Sequence, residues 1–460
     1  MVGVVLLVVA VLASVPYWLP PLVVILRNRL FIAINGEEGV SIPGELVPPS
    51  EFKRVYSHPA ADGRSRGAKL SDLFWYWLAP GPEIHQEHLE PGPRYEEVAK
   101  TTKRLLRVSP QESGELARRC IERAISRSPH PAPRLIRLRD FWMPIWAEFY
   151  YELVFQQTCP DEARELIVAN ANDVVTALKC CGLRHMDRRE RLTRYLLGKL
   201  EAGELPAVLP SFSREERALY LQGAYFNTAV VQMSEAMTHL MLVIAEHEAI
   251  QARLTERDEP DYLERVIQEV LRVFPLFGIS HRITSDEIVL DERTRIPAGA
   301  VICFDHARYH RHGFDDPERI EPDRWLALAT KEASYIPFGV AANRPCPAQA
   351  IALATMRVAA GEFLKRYRLA SSVHHTRSIP NRGPCLLIPH AIRYSRWRLK
   401  STLLWLRFRD RWEDVWRSLL QLVLGTYMVW DARRKRLCER YFVEHKDRGW
   451  KAAAAKDAKV

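Results

Sequence analysis

The hydrophobic pattern opens with an apolar segment at the start of the chain. Residues 2–26 carry no charged side chain, and two arginines follow directly. A segment of this length can cross a bilayer. Prolines at positions 16, 20 and 21 interrupt it, so we expect the regular helix to end near Ser14 and the remainder to be kinked or interfacial. A cleaved signal peptide is the alternative, although the start has no basic region and no clear cleavage site.

The pattern divides the chain into four predicted regions. We predict an N-terminal membrane anchor over residues 1–30, a proline-containing hinge over 31–50, a catalytic domain over 51–392 and a basic amphipathic extension over 393–460. Positive charge directly after the anchor favours a cytoplasmic position for everything C-terminal to it. No linker divides the middle of the chain, which indicates one large domain there.

Within the predicted domain the periodicity is mostly helical. Ser213 and Glu216 fit a capping box that opens a long helix over 213–247, and a second helix over 261–274 stops at Pro275. Alternating and β-branched patterns predict short strands at 279–284, 287–290 and 300–304.

The predicted extension has its own helical periodicity. Its apolar residues near helical spacing are Leu403, Leu404, Leu406, Trp412, Val415, Trp416, Leu419, Leu420 and Val423. Arginines lie between them, which predicts an amphipathic helix with a basic polar face. Membrane docking and packing against the catalytic domain or a partner both remain open.

Composition narrows the class of protein. Hydrophobic residues make up 47% of the chain and charged residues 27%, which is typical of an ordered globular protein. Eight cysteines without a C-x-x-C pair suggest neither a disulfide framework nor a zinc site, so we place the domain in a reducing compartment. The net charge of +10 is concentrated near the C-terminus, in basic clusters. Such clusters favour binding to an anionic membrane surface. Binding to nucleic acid is the rival interpretation, but no nucleic-acid fold signature accompanies the clusters.

Three short motifs carry the candidate chemistry. Glu269-Val-Leu-Arg272 places an acid and a base on one helix face. Pro322-Asp-Arg-Trp325 follows, and then Pro337-Phe-Gly-Val-Ala-Ala-Asn-Arg-Pro-Cys346 leads into a helical run. A thiol at a helix N-terminus, with Arg344 two residues away, is expected to have its thiolate favoured and to be a good metal ligand.

In this order the motifs resemble those of the cytochrome P-450 superfamily, E-x-x-R, P-x-R-F/W and F-x-x-G-x-R-x-C-x-G. The resemblance covers residues 210–390 well and the first 200 weakly. It implies a mainly α fold with a small β-rich subdomain. It also implies haem b between the helix from Ser213 and the helix after Cys346, with the Cys346 sulfur as axial ligand.

The resemblance also assigns roles to other residues. Glu269, Arg272 and Arg324 are expected to form a buried structural triad. Arg282 and Arg344 are expected at the haem propionates, and Phe338 in the cofactor-binding loop. The family's polar meander is similar to the loop that holds His306, His310 and His312, so these histidines are expected not to bind metal.

Two features depart from the family pattern. Phe338 lies eight residues before Cys346 instead of seven, and alanines replace two glycines of the loop, so one residue must bulge. The long helix also lacks the family's acid and threonine, which relay protons during oxygen activation. Asn227, Thr228 or Gln232 is expected to orient a water instead.

These observations leave three functions open. The first is a haem-thiolate monooxygenase that inserts oxygen into an apolar substrate with electrons from a separate, NADPH-dependent reductase, since no flavin or nicotinamide fingerprint is present. The second is a reductase-independent isomerase, dehydratase or peroxygenase acting on lipid hydroperoxides, which the missing relay favours. The third is a non-enzymatic membrane protein with a degenerate haem fold. By resemblance to microsomal members, the location is the endoplasmic reticulum membrane with the catalytic domain in the cytoplasm.

Overall fold

The structure is a computed structural model that describes residues 1–36, 39–127, 129, 131–204, 208–256, 259 and 261–445. The end of the predicted extension, 446–460, therefore lies outside the described residues. The chain is mainly helical with three small sheets, as the sequence predicts.

The helices account for most of the described residues. They are α1 (Val2–Asn35), α2 (Phe52–Tyr56), α3 (Lys69–Leu78), α4 (Pro93–Leu105), α5 (Pro110–Arg127), α6 (Leu138–Phe155), α7 (Asp161–Leu178), α8 (Met186–Glu201), α9 (Arg214–Leu221), α10 (Val230–Glu246), α11 (Glu248–Glu256), α12 (Tyr262–Val273), α13 (His306–Tyr309), α14 (Arg324–Ala327), α15 (Gln349–Leu364), α16 (Arg396–Lys435) and α17 (Leu437–Glu444). Short 3-10 turns cover Pro49–Glu51 and Pro82–Ile84.

The strands form small sheets beside the helices. They are β1 (Val40–Ile42), β2 (Arg134–Arg137), β3 (Ile279–Ile283), β4 (Ile288–Val289), β5 (Arg295–Ile296), β6 (Val301–Asp305), β7 (Tyr367–Ala370) and β8 (Pro384–Pro389). One sheet has the order β1-β6-β3, a second β2-β8-β7, and β4 pairs with β5. The strands predicted between positions 279 and 304 are confirmed as β3, β4 and β6.

The predicted hinge contributes to the first sheet. β1 lies within residues 31–50 and pairs in parallel with β6, with Val40 opposite Ile302. Ile42 and Val47 are fully buried in a cluster with the first sheet. This segment therefore attaches the N-terminal helix to the body through backbone hydrogen bonds and apolar burial.

α1 differs from its prediction. It continues without interruption from Val2 to Asn35, although three prolines lie inside it, so the expected helix end near Ser14 is wrong. Each proline removes one backbone donor and favours a break in an isolated helix. Here α16 packs against α1 from about Tyr17 onwards, next to the prolines, and this tertiary support offsets the local preference.

Four helices form the centre of the body. α5 packs against α15, and α6 packs against α10. α6 is buried on nearly every side, and its aromatic residues Trp142, Trp146 and Phe149 belong to the main core. The burial of these rings stabilises the core strongly, because each removes a large apolar area from water.

The long helix predicted over 213–247 forms with one irregularity. Ser213 and Glu216 make the expected capping box, with reciprocal backbone bonds at 3.2 and 2.8 Å. Between α9 and α10 the chain forms a π-helical segment over Gln222–Ala229. Such π segments widen a helix by one residue per turn and are frequent at functional sites.

Core packing predicts a sharp contrast between two leucines. Leu240 of α10 is fully buried, whereas Leu326 of α14 is 67% exposed. We expect Leu240→Ala to lower the free energy of unfolding by about 2–5 kcal/mol, because it leaves a cavity. Leu326→Ala, the matched control, should change it by no more than about 0.5 kcal/mol. Denaturant midpoints of the two variants check this, and equal shifts would contradict the packing described.

Candidate active site

A buried carboxylate, Glu269 of α12, gathers five hydrogen bonds. Arg272 donates two, from Nη2 to Oε1 at 2.9 Å and from Nε to Oε2 at 3.0 Å. Arg324 Nε, the Glu321 backbone N–H and Trp325 Nε1 each donate one at 3.0 Å. Glu269 and Arg272 are fully buried, so the charge is stable only because every lone pair is occupied. The three residues of the predicted triad do lie together.

This cluster is connected to the cysteine loop. Arg272 Nη1 donates to the carbonyls of Pro317 at 2.8 Å and of His310 at 3.5 Å. His310 in turn accepts at Nε2 from the Ile336 backbone N–H, at 3.0 Å, and so fixes the start of the loop. Buried His310 therefore has a structural role in this arrangement.

The loop forms a short hairpin before the cysteine. The Cys346 N–H donates to the Phe338 carbonyl at 2.9 Å, and Val340 pairs with Asn343 in an isolated bridge. Gly339 at φ 76° and Arg344 at φ 49° take left-handed conformations, which turn the chain at both sides of the bridge. The residue that exceeds the family spacing is thus accommodated in the tight turn.

Cys346 occupies an open position in front of α15. Of the eight cysteines, all of which the structure describes, it alone is exposed. Protein atoms nevertheless surround the sulfur closely enough that desolvation raises the pKa of the Cys346 thiol, while the Ala348 N–H acts in the opposite direction. The residue is therefore reachable from solvent, although its thiol is partly shielded.

The expected contribution of Arg344 to the thiolate is wrong. Its Nη1 donates to the carbonyls of Gln86 at 3.0 Å and Leu89 at 2.7 Å, and its guanidinium stacks 3.5 Å from the centre of the Tyr95 ring. The side chain therefore holds the segment before α4, and its expected place at a haem propionate stays a prediction. Sequence proximity alone suggested a partner that the turn at Arg344 directs elsewhere.

Arg282 belongs to a buried cluster with Arg64 around Glu87. Glu87 Oε2 lies 3.6 Å from Arg64 Nη1 and 3.7 Å from Arg282 Nη2. Arg64 Nη2 also donates to Asn343 Oδ1 at 2.5 Å, which links this cluster to the cysteine loop. Burial raises the pKa of Glu87, but Arg282 and Arg64 outweigh it, so the pKa of this carboxyl is lowered.

The cluster holds more positive charge than its own acids neutralise. Buried Arg64 Nε and Nη1 and Arg282 Nε have no hydrogen-bond partner among the described residues. Burial, and next the neighbouring Arg282, lower the pKa of Arg64 to about 9. Unpaired buried donors on cationic groups indicate a site for an anionic group. The two carboxylates of a haem would satisfy these donors, so the residues present fit that group.

The candidate polar residues of the long helix point to different neighbours. Asn227 accepts a hydrogen bond from Asn170 of α7 and is buried there. Thr228 Oγ1 lies 2.8 Å from His85 Nε2, and Gln232 is half-buried one turn further on. Asn227 is thus engaged in packing α7, which leaves Thr228, held by His85, as the candidate hydroxyl.

The tautomer of His85 follows from its contacts. The Glu87 backbone N–H donates to His85 Nδ1 at 3.2 Å, so Nδ1 is an acceptor. In the neutral ring Nε2 then carries the hydrogen and donates to Thr228. Burial lowers the pKa of His85, although Glu87 opposes the shift. Because Thr228 accepts from His85, its own hydroxyl hydrogen is available to a ligand.

Sequence reasoning missed Arg64, His85 and Glu87. They lie far from the three motifs in the chain, and only the fold brings Arg64 to the cysteine loop, Glu87 to Arg64 and His85 to Thr228. The one available signal was the run Pro82-Glu-Ile-His-Gln-Glu-His88, in which titratable residues alternate with others after a proline. Predicted Phe338 is half-buried and packs against the main core, where it contributes its carbonyl to the cysteine turn.

Comparison with known proteins agrees with this geometry. The cytochrome P450 family model matches residues 232–394, which include the buried triad and the cysteine loop. This match, with the curated relatives below, supports membership of the cytochrome P450 superfamily. That family implies a haem group with a cysteine thiolate ligand.

The curated relatives are similar over short segments. Cyclooctat-9-en-7-ol 5-monooxygenase of Streptomyces melanosporofaciens is 33% identical over 114 residues, 24% of this chain and 24% of that protein. Pentalenene oxygenase of Streptomyces avermitilis is 29% identical over 153 residues, 29% of this chain and 34% of that protein. The matched segments thus span about a quarter to a third of these cytochrome P450 relatives.

Solved structures extend the likeness to most of the fold. Cytochrome P450SP alpha in complex with (R)-ibuprofen has a TM-score of 0.59 at 18% identity, over 71% of this chain and 85% of that one. A six-coordinated cytochrome P450 from Thermus thermophilus has a TM-score of 0.56 at 19% identity, over 73% and 90%. At these identities the likeness establishes the cytochrome P450 fold.

Because Glu269 accepts five hydrogen bonds, we predict that removing its charge lowers the stability of the fold strongly. Glu269→Gln would leave buried Arg272 without its counter-charge and Arg324 with Glu321 alone, and we expect about 3–5 kcal/mol of destabilisation. Glu264→Gln on the same helix is the matched control, because Glu264 is exposed and 4.0 Å from Arg357. Chemical unfolding compares the two, and a Glu269→Gln shift as small as that of the control would contradict the role of the cluster.

Three buried histidines predict a dependence of stability on acid pH. Burial, and next Arg282, lower the pKa of His281 and His306 to about 4, and burial with the neighbouring His306 lowers that of His310 to about 3. The unfolded chain binds their protons below its ordinary pKa of about 6.5, so stability is fully present above that pH and falls as pH decreases towards 4.

The matched variant is His310→Gln, which keeps an acceptor for the Ile336 N–H and removes one titrating group. We expect the slope of unfolding free energy against pH between 6.5 and 4 to fall by about one proton, or about 1.4 kcal/mol per pH unit. Unfolding curves at several pH values measure this slope. An unchanged slope would show that His310 is not kept neutral by the fold.

Proposed function

We propose that this chain is a membrane-associated haem-thiolate monooxygenase that oxidises an apolar substrate with electrons from a separate reductase. Cys346 is the proposed axial ligand of haem b, and Arg64 and Arg282 bind its propionates. The observation that carries the proposal is the link from buried Glu269, through Arg272 and His310, to the exposed Cys346 loop. The endoplasmic reticulum stays a prediction from the sequence.

The support for Cys346 is its position. It follows a hairpin anchored at both sides and precedes α15, whose other face packs in the core. Five other cysteines are buried, and desolvation raises the pKa of each of those thiols. A buried structural thiol makes a poor metal ligand, whereas an open one beside a cationic, under-neutralised cluster is suited to hold haem.

A bound haem supplies oxygen activation, and the protein supplies position and protons. Arg64 and Arg282 would orient the group through their free N–H donors. Thr228 presents a hydroxyl held by neutral His85, which is the arrangement that a proton-delivering group requires. The apolar wall formed by α6 and α10 excludes water and favours an apolar substrate.

A reductase-independent reaction on a lipid hydroperoxide is the second candidate. One observation favours it, since the first acid after Thr228 along the helix is already held by cations. Glu235 is bound by Arg139 and Lys179, and Glu246 lies beyond it near His375. A hydroperoxide already contains the oxygen and needs no proton relay of the usual kind, so this site would suffice for it.

The proposed ligand predicts a spectrum. Purified full-length protein supplied with haem should give the Soret band of thiolate ligation in its reduced carbon-monoxide difference spectrum. Cys346→Ala should lose that band, and Cys181→Ala, a half-buried cysteine, should keep it. A band that survives Cys346→Ala would remove Cys346 as the ligand, and a colourless intact protein would remove the enzymatic proposal.

Turnover separates the two candidate functions. With NADPH and a reductase, we expect product from the native protein, a loss of about 10²-fold or more in Thr228→Val and recovery in Thr228→Ser, because only the hydroxyl carries the proton. With a hydroperoxide and no reductant, Thr228→Val should lose much less. Turnover with the hydroperoxide together with none from NADPH and the reductase would overturn the monooxygenase and support the second candidate.

A further inference from the structure

α1 and α16 lie side by side in parallel register. The Arg411 guanidinium stacks 4.4 Å from the centre of the Tyr17 ring, and Arg27 Nη1 donates to Gln421 Oε1 at 3.2 Å. Further along, a Cβ at Gly425 would come within 3.2 Å of the Phe31 ring. In all three pairs the α16 residue is 394 positions beyond its α1 neighbour (411 against 17, 421 against 27, 425 against 31). This register places residues 411–429 of α16 beside residues 17–35 of α1, whereas residues 2–13 of α1 are exposed throughout.

α16 has two opposite faces. The inner face packs on the body and on α1 through buried Leu406, Asp410, Ser418, Gly425, Met428, Val429 and Ala432. The outer face carries a stripe of exposed apolar residues at helical spacing, namely Trp397, Leu404, Trp405, Phe408, Trp412, Trp416, Leu419, Val423, Tyr427 and Trp430. An exposed apolar area of this extent marks a surface for a partner.

The stripe continues onto α1. Leu30 and Ile34 of α1 and Val423, Tyr427 and Trp430 of α16 line one shared apolar groove of about 490 Å³. α1 itself is almost entirely exposed, with Val23 its one buried residue. The two helices therefore present one continuous apolar surface, which we call the outer helical surface.

The charge of α16 excludes the insertion of this pair across a bilayer. Beside residues 17–26, the second part of the uncharged segment of α1, α16 carries Arg411, Glu413, Asp414 and Arg417. Each charge at the centre of a bilayer costs about 2.5–3.5 kcal/mol or more. Crossing with the pair intact would bring several of them into the hydrocarbon region, whereas an in-plane position leaves them among the headgroups.

We propose that the outer helical surface lies in the plane of an anionic bilayer, so that α1 and α16 together attach the protein to one leaflet and α1 does not span it. Tryptophan, abundant in the stripe, is favoured at the level of the headgroups. Residues 396–444 contain twelve Lys and Arg against six Asp and Glu, which complements anionic lipid. Beyond Trp430, a second groove of about 400 Å³ is lined by four arginines and two glutamates, namely Arg433, Arg434, Arg436, Arg440, Glu439 and Glu444.

This attachment is separate from the haem chemistry. The cytochrome P450 family match ends at residue 394, before α16 begins. The proposal rests on α1 and α16 alone, so failure of the spectral test above and failure of the membrane test are distinguishable.

The first experiment is flotation of the full-length, haem-supplied protein with vesicles of phosphatidylcholine alone or with about 30% phosphatidylserine. We expect stronger binding to the anionic vesicles, weakened by high salt. Trp405→Glu/Phe408→Glu/Trp416→Glu should lower the partition coefficient at least about tenfold. The matched control is Leu183→Glu/Val289→Glu/Leu326→Glu, three exposed apolar residues elsewhere, which should not change it.

Binding of the stripe variant equal to that of the native protein would show that α1 alone holds the membrane and would overturn the proposal. Equal binding to both vesicle types, or self-association through the stripe in place of flotation, would also overturn it. Circular dichroism checks that the variant is folded. If it is not, the serine triple at the same three positions replaces it.

A second experiment needs no substitution. A short epitope tag before Met1 is exposed to protease added outside sealed membranes that carry the protein. An in-plane α1 leaves the tag on the side of the catalytic domain, so it should be removed without detergent. Protection of the tag until detergent is added would show a spanning α1 and would overturn the proposal.

Discussion

A single buried carboxylate organises the side of the molecule on which the cysteine lies. Glu269 accepts five hydrogen bonds from three side chains and one backbone N–H, so its charge is compensated without water. Such a site is costly unless complete, because every missing donor leaves a buried charge exposed to a low dielectric. Its completeness fixes α12, the segment before α14 and the loop after it as one unit.

The position of Cys346 depends on that unit. Arg272 holds the carbonyls of the loop after α13, His310 from this loop receives the Ile336 N–H, and the hairpin that follows closes on Cys346. The second group of charges, Arg64, Arg282 and Glu87, approaches from β3 and the segment before α4 and has donors left free. The Glu269 cluster forms a rigid scaffold on one side, and Arg64 and Arg282 on the other side carry more positive charge than Glu87 neutralises. Together they leave a site suited to a cofactor with two negative charges. This is the physical basis for assigning haem chemistry to the chain.

The proposed attachment of α1 and α16 to lipid depends on a different constraint, the packing of α16. α16 has a charged, partly buried face towards the body and an apolar face towards the outside. Both faces need partners. Its inner acids are paired, as Asp410 is with Asn381 and Arg417, and Asp431 with Tyr76 and Arg434. These interactions hold α16 to the body and, through it, hold α1 parallel to the surface. The orientation of α1 is therefore a property of the helix pair and not of its own hydropathy.

The sequence by itself determined the elements whose patterns involve only neighbouring residues. Four features depend only on neighbouring residues and were predictable. They are the capping box at Ser213, the strands near 279–304, the i,i+3 pair of Glu269 and Arg272, and the turn before Cys346. Only the tertiary structure decided which distant groups meet. It carried α1 through three prolines because α16 supports it, joined Arg344 to the segment before α4, and brought His85 to Thr228 across 143 positions. Propensity and spacing act over a few residues, whereas these contacts depend on how helices pack, which no local pattern encodes.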